Sequence, residues 1–299
     1  TYHEVSPNES VKTDARVGLT RLAGVPRKVD DLLREAQLAL YEARDLTHGD
    51  WAELSTDYEV HVRERRRLAN ELQLAIERDE LRLHFHPTVE TRTGRISSAE
   101  ALVRWQHPER GLLPPGAFVP AAERSGLIVP LGRWVLDEAC RKMALWRDSL
   151  QVTRIAVNAS AEELIQPSYT TGVLDALERH GLDPTLLTIE VTETALVRDP
   201  DLALAHLHAL AKAGVHLALD DFGTGFASLA ILKGFPFGQV KIDRLFVADM
   251  LTDAYSHGVV ASVLGLAKTI GATVVGEGVE TDDQRSALVE LGCEIAQGY

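Results

Sequence analysis

His216-Leu-Ala-Leu-Asp220-Asp221-Phe-Gly-Thr-Gly225 is an apolar run of strand length that ends in two adjacent carboxylates and a glycine-rich turn. Burying such a run carries two negative charges to the edge of a core, which is costly unless something positive meets them there. Successive side chains on a regular strand point to opposite faces. Both carboxylates can therefore serve one site only where the strand ends and bends. Taken alone, the stretch suits an ordinary turn leading to a helix N-cap, because Asp and Gly are common turn residues. The other reading is a pair of cations sharing a bridging carboxylate, and the rest of the chain decides between the two.

Composition sets the bounds. The 299 residues are 45% hydrophobic and 25% charged, the balance of a soluble globular chain large enough for one domain, or for one plus a fragment. No apolar run reaches the roughly 18 residues of a membrane span and no signal peptide opens the sequence. The chain begins at Thr1, so it reads as an excerpt, expected in the cytoplasm or as the cytoplasmic part of a membrane-anchored protein. Cys140 and Cys293 stand apart without metal-ligand spacing and are expected to be buried thiols in a reducing compartment. A net charge of -13 argues against polymeric nucleic acid, which needs a basic stripe. It leaves open a small phosphate ligand held by metals and a few local cations.

Three segments differ in texture. Residues 1–58 suggest a small α+β fragment, with a strand between Lys12 and Leu22, an amphipathic helix over Val29–Arg44 and a turn at Gly49. Residues 59–79 suggest a charged linker helix whose Leu68, Leu72 and Ile76 mark one face. From residue 80 to 299 short apolar strands alternate with helices. The strand candidates are Leu81–His86, Ser97–Trp105, Val152–Asn158, Leu186–Val191, His216–Asp221, Val240–Ile242, Thr273–Gly276 and Ile295–Gly298. Helix ends are legible between them: capping boxes at Ser160/Glu163 and Thr281/Gln284, Asp199 before Pro200, and Gly214 and Gly292 at C-termini. This rhythm predicts an α/β fold, a (β/α)8 TIM-like barrel. No helix fits between the first two strands, so they are expected to form a hairpin across Thr93-Gly94, giving an antiparallel first strand.

Polar residues interrupt the apolar strands in phase. Glu100 lies in the second, Asn158 closes the third, Glu190 is near the end of the fourth, and Asp220 and Asp221 end the fifth. Lys241 lies in the sixth, Glu277 in the segment after the seventh, and Gln297 in the eighth. In a barrel these strand ends converge on one face, where catalytic groups gather. Carboxylates and a carboxamide are hard oxygen donors, suited to Mg2+ or Mn2+ and unlike the His and Cys that Zn2+ prefers. Two such ions can activate a water and stabilise the leaving oxygen of a phosphodiester. Lys241 then serves as a point charge and Arg104 as a planar clamp for a second phosphate. The structural alternative for Lys241 is simple neutralisation of buried carboxylates.

Glu100-Ala-Leu-Val-Arg-Trp105 resembles the signature of the EAL-domain family of cyclic di-GMP phosphodiesterases. The likeness continues through His107-Pro-Glu-Arg-Gly-Leu-Leu-Pro-Pro, Val157-Asn-Ala-Ser160, Ile189-Glu-Val-Thr-Glu193, Asp220-Asp-Phe-Gly-Thr-Gly225, Lys241-Ile-Asp-Arg244, Glu277-Gly-Val-Glu280 and Gln297-Gly-Tyr299, in family order. It implies hydrolysis of cyclic di-GMP to linear pGpG with two Mg2+ or Mn2+, with a catalytically silent cyclic di-GMP receptor signalling through the linker helix as the alternative. It implies ligation by Glu100, Asn158, Glu190 and Asp220, a second ion completed by Asp221 with Glu277 directly or through water, water handling by Lys241 and Gln297, and substrate contact by Leu102 and Arg104. His86, where the family usually has Gln, and Asp243 fall in the same substrate-binding group. Glu193, and more weakly Glu280, would support the Asp221–Gly225 loop, and a homodimer through the barrel is implied. The family continues past Gln-Gly-Tyr into a last helix, so the barrel is expected to be unclosed at its end. Val17-Gly-Leu-Thr20 and Asp30–Arg44 resemble the tail of a GGDEF (diguanylate cyclase) domain, without that domain's signature.

Overall fold

The computed structural model describes residues 2–6, 9–12, 17–19, 29, 33, 36, 51–53, 56–146, 153–223 and 234–298. Two compact units divide within one helix, Thr56–Glu77, at Leu68/Ala69. The first holds an antiparallel pair, Tyr2–Ser6 with Glu9–Lys12, and a parallel pair, Val17–Leu19 with Trp51–Glu53. The strand expected between Lys12 and Leu22 is therefore two short strands as far as it is described. Of the helix expected over Val29–Arg44, Val29, Leu33 and Ala36 are described and are helical, and the rest lies outside the described residues, as does the turn at Gly49.

The second unit is the predicted barrel. Its eight strands are β1 (Leu81–Glu90), β2 (Ile96–His107), β3 (Ile155–Ala159), β4 (Leu187–Thr192), β5 (His216–Phe222), β6 (Gln239–Ile242), β7 (Thr273–Val279) and β8 (Ile295–Gly298). Strands β2 to β8 are parallel neighbours in sequence order, whereas β1 runs antiparallel to both β2 and β8. The β1–β2 hairpin turns at Thr93-Gly94 as the missing helix requires, with Gly94 at a φ of 70°. The unclosed end is overturned: Ile295, Ala296 and Gln297 pair with Glu90, Val89 and Thr88, so the sheet closes on itself through its last strand. A short strand that the sequence reading missed, Gly111–Leu113, folds back on the end of β2.

The strands are near-continuous apolar runs because both faces are covered, helices outside and packed side chains within. In β4 Leu187, Thr188, Ile189, Glu190 and Val191 are all buried. Helix Ile128–Trp146 lays Leu131, Val135, Leu136, Ala139, Cys140 and Met143 into this core, and the predicted burial of Cys140 and Cys293 holds. The predicted helix starts also hold. Ser160 and Thr281 make reciprocal capping boxes, and Asp199 caps helix Pro200–Ala213, which ends on left-handed Gly214. No helix among the described residues is long and apolar enough to cross a membrane.

Candidate active site

Lys241 lies at the centre, on β6 and only 1% exposed. Its Nζ stands 2.7 Å from Glu277 Oε1, 2.9 Å from Glu190 Oε2, 3.2 Å from Asp220 Oδ1 and 3.4 Å from Glu100 Oε2. These groups come from β2, β4, β5, β6 and β7, so the strand ends bring together residues 177 positions apart in the chain, from Glu100 to Glu277. Gln297 on β8 donates from Nε2 to Glu100 Oε2 at 2.9 Å, and Asn158 on β3 donates from Nδ2 to Glu100 Oε1 at 2.7 Å. Glu100, Asn158, Glu190, Asp220, Lys241, Glu277 and Gln297, all singled out in the sequence, thus reach one ring.

The electrostatics of this ring are unbalanced. A buried ammonium is tolerable only with partners, and here four carboxylates surround one. Burial favours the neutral amine, yet Glu190, Glu100, Asp220 and Glu277 hold the Lys241 proton well above its ordinary value. The surplus negative charge shows on the acids. Burial, with the neighbouring Glu100 and Asp220 charges, pushes Glu190 up to about 8 against the pull of Lys241. Burial likewise pushes Glu277 up to about 7. Glu100 stays below the ordinary carboxylate value despite its burial, because Lys241, Gln297 and Asn158 all favour its charged form. A ring that must take up protons to relieve its own charge is one that hard cations would suit.

Two triads define where such cations fit. Oxygens of Glu100, Glu190 and Asp220 lie within 4.8 Å of one another, and so do oxygens of Asp220, Asp221 and Glu277. Asp220 is common to both. The neighbouring carboxylates serve one site because β5 breaks its register against β6 between Leu219 and Phe222, and Asp221 takes a φ of 53°. A bulge re-aims a side chain in this way, and Asp tolerates the left-handed region better than most residues. Burial and then the Asp220 charge push Asp221 up to about 6. Beyond the bulge, Gly223 N donates to Glu193 Oε1 at 3.0 Å, while the buried Glu193 Oε2 has no hydrogen-bond partner among the described residues. Residues 224 and 225 of the loop lie outside the described residues.

The ring opens into a cavity of about 350 Å3 lined by His86, Asp243, Glu280 and Gly298 as well as Glu100, Asp220, Asp221, Glu277 and Lys241. His86 pairs in register with Glu100 and lies 3.3 Å, through Nε2, from Gly298 O. Asp243 caps helix Arg244–Asp249 by accepting from Leu245 N at 2.7 Å. Leu102 lies apart from this hollow, with Asn158 in a neighbouring cavity of about 370 Å3. Arg104, further along β2, is not among the residues lining either hollow, and its guanidinium donates to Val103 O. Arg244 lines the ring cavity and was missed in the sequence, although it closes the Lys241-Ile-Asp motif.

A family model described as the EAL domain matches residues 69–299. The chain belongs to the EAL domain family. It is similar, at 39% identity over 298 residues, to the bifunctional diguanylate cyclase/cyclic di-GMP phosphodiesterase MucR of Pseudomonas aeruginosa, covering 99% of this chain and 43% of MucR. Its identity to the cyclic di-GMP phosphodiesterase PdeR of Escherichia coli is 37% over 268 residues, covering 90% of this chain and 40% of PdeR. The chain thus spans less than half the length of these curated relatives. Among solved structures, the PaMucR phosphodiesterase in complex with c-di-GMP superposes with a TM-score of 0.74 and 44% identity, over 78% of this chain and 94% of that one. In this EAL barrel the acidic ring sits where parallel barrels gather reactive groups, at the carboxyl ends of the strands.

Proposed function

We propose that this EAL domain hydrolyses cyclic di-GMP to linear pGpG at a two-ion site, lowering the level of that messenger. The observation that carries the reading is Asp220 shared between two carboxylate triads around one buried lysine. The donors are all oxygen, which favours Mg2+ or Mn2+. Glu100, Asn158, Glu190 and Asp220 would hold one ion, and Asp220, Asp221 and Glu277 the other. Bound there, the ions would supply Lewis acidity at the scissile phosphate and a water of lowered pKa.

The chain's own groups do the rest. Lys241, its proton held by the carboxylates, acts as a fixed cation and donor beside the attacking water. Gln297 gives its Nε2 hydrogen to Glu100, and its buried Oε1 has no hydrogen-bond partner among the described residues, so it is free to accept from a water. Glu193 holds the Gly223 amide and with it the bulge that aims Asp221, and Glu280 stands on the same rim. His86, Asp243, Leu102 and Arg104 are the candidate substrate contacts, Arg104 as clamp for the second phosphate. The similarity to two proteins named cyclic di-GMP phosphodiesterases, and to a structure solved with c-di-GMP, supports that substrate. A homodimer through the barrel and a cytoplasmic location belong to the same reading.

The test is conversion of cyclic di-GMP by the purified protein with Mg2+ or Mn2+. Glu100→Ala is expected to lower turnover by at least ~1000-fold, since it removes an ion ligand and the acceptor shared by Asn158, Lys241 and Gln297. Tight binding of cyclic di-GMP without turnover by the unmutated protein would select the silent receptor instead.

A further inference from the structure

Ser160, two residues past Asn158, opens the four-residue helix Ala161–Leu164. Glu163 closes a reciprocal box on it: Glu163 N donates to Ser160 Oγ at 3.3 Å, and Glu163 Oε2 accepts from Ser160 N at 3.0 Å and Ser160 Oγ at 2.7 Å. A single helical turn gains little stability of its own, so the box chiefly fixes the path of the chain leaving β3. Unlike most capping acids, Glu163 is buried, at 8% exposure. It forms part of the wall of the Asn158 cavity and of a second cavity of about 160 Å3 between helices Ile128–Trp146 and Tyr169–Arg179. Burial pushes its carboxyl up to about 7.

The facing helix makes room for this side chain. A Cβ at Gly132 would stand 1.8 Å from Glu163 Oε1 and 2.4 Å from Cδ. Glycine inside a helix costs about 1 kcal/mol relative to alanine, and at Gly132 that cost leaves a groove in which the carboxyl lies. Across this turn, Asn158 is exposed, and its carboxamide makes one hydrogen bond among the described residues, to Glu100. Apart from that bond, the placement of its backbone aims it. The same device recurs after β7, where Gln284 Oε1 accepts from Glu280 N and Thr281 N in the turn beyond Glu277.

We propose that Glu163, seated on Gly132, is a positioning residue that locks the turn after β3 and so holds the Asn158 carboxamide ready for an ion. The proposal rests on the two-ion reading above and adds the residue that sets affinity at the Asn158 edge. Titration calorimetry of Mn2+ into ion-free protein tests it, alongside thermal melting and cyclic di-GMP turnover. Glu163→Ala is expected to weaken Mn2+ binding about tenfold, the scale of losing a residue that orients a ligand. Glu163→Gln keeps the box and is expected to stay within about twofold of the parent, which separates the bonding role from the charge. Gly132→Ala should also weaken Mn2+ binding and lower the melting temperature. Adding Glu163→Ala to Gly132→Ala should restore the melting temperature, because the methyl fills the vacated groove, but not the Mn2+ affinity.

Parent-like Mn2+ affinity in Glu163→Ala, whatever its melting temperature, overturns the proposal. If that variant does not fold, Ser160→Ala gives the same reading, with weakened binding expected and unchanged binding contradicting it. Weakened Mn2+ binding in a chain whose unmutated form turns over no cyclic di-GMP would uphold the positioning role and sink the substrate assignment alone.

Discussion

Lys241 and Asp221 come from neighbouring strands, yet they are held by opposite means. Lys241 is 1% exposed, reaches four carboxylates and is fixed by its burial. Asp221 rides on a bulge with a φ of 53°, and the chain beyond it is tied by the Glu193–Gly223 bond. The inner ring is preformed but over-charged, so an ion bound there would change its energy more than its shape. The rim is locally held, so its geometry depends on a few bonds that a single substitution can remove. The two regions should therefore fail differently.

The ring should fail through charge, with the largest effect. Lys241→Met leaves four carboxylates, three of them buried, without their cation. It is expected to abolish turnover and to destabilise the ion-free protein by about 3–5 kcal/mol at pH 8, the cost of breaking a buried pair. At pH 5 the loss should shrink, because the acids can take up protons, and saturating Mn2+ should shrink it at either pH. Denaturant unfolding at both pH values checks this, and a loss independent of pH and ions would contradict the charge argument.

The pH dependence of the unmutated protein is next in size. Glu190 and Glu277 have folded-state values of about 8 and 7, raised from 4.5 by burial first. The folded state thus binds more protons than the unfolded state between about pH 4 and 8, so stability falls as pH rises through that window. Lys241 is raised as well, but its proton is lost only above the window. A fall of at least about 1.4 kcal/mol is expected from pH 5 to 8 without ions, the worth of a single pKa unit on one group. With ions replacing protons the curve should flatten, and unfolding midpoints with Mn2+ and with a chelator measure the difference.

Much of the ring was legible in the sequence, because a buried polar residue in an apolar strand is costly and Glu100, Glu190, Asp220, Lys241 and Gln297 carry that cost in phase, with Asn158 closing its strand in the same phase. The strand rhythm and the capping boxes located the elements within a few residues. Closure was not legible: the pairing of β8 with β1 joins residues about 200 positions apart, and no local pattern encodes it. Nor was the groove at Gly132, since a glycine in a helix does not announce which side chain will lie over it. Nor was Arg244, since nothing local separates an arginine that lines a cavity from one on a helix's exposed first turn.

The rim should fail through geometry. Glu193→Ala removes the acceptor of the Gly223 amide and frees the bulge. Turnover is expected to drop about tenfold, the scale of losing a residue that orients a ligand, with a stability loss near 1 kcal/mol for the hydrogen bond. Because Asp221 belongs to one triad only, the drop should be partly recovered at high Mn2+ concentration. Recovery by Mn2+ distinguishes a mis-aimed ligand from a lost catalytic group, and its absence would move Glu193 into the chemistry itself.

His86 gives the smallest effect and separates the cavity wall from both regions. It pairs in register with Glu100, but its Nε2 lies against Gly298 O, and neither carboxylate triad includes it. His86→Gln keeps a donor that can reach the same carbonyl, so the ring and rim should be untouched. Mn2+ affinity is expected to be unchanged and kcat to stay within about twofold, while KM shifts by at most about fivefold, within the worth of one hydrogen bond. Steady-state kinetics on both proteins separate the constants, and a fall in kcat with KM constant would place His86 in the reacting set.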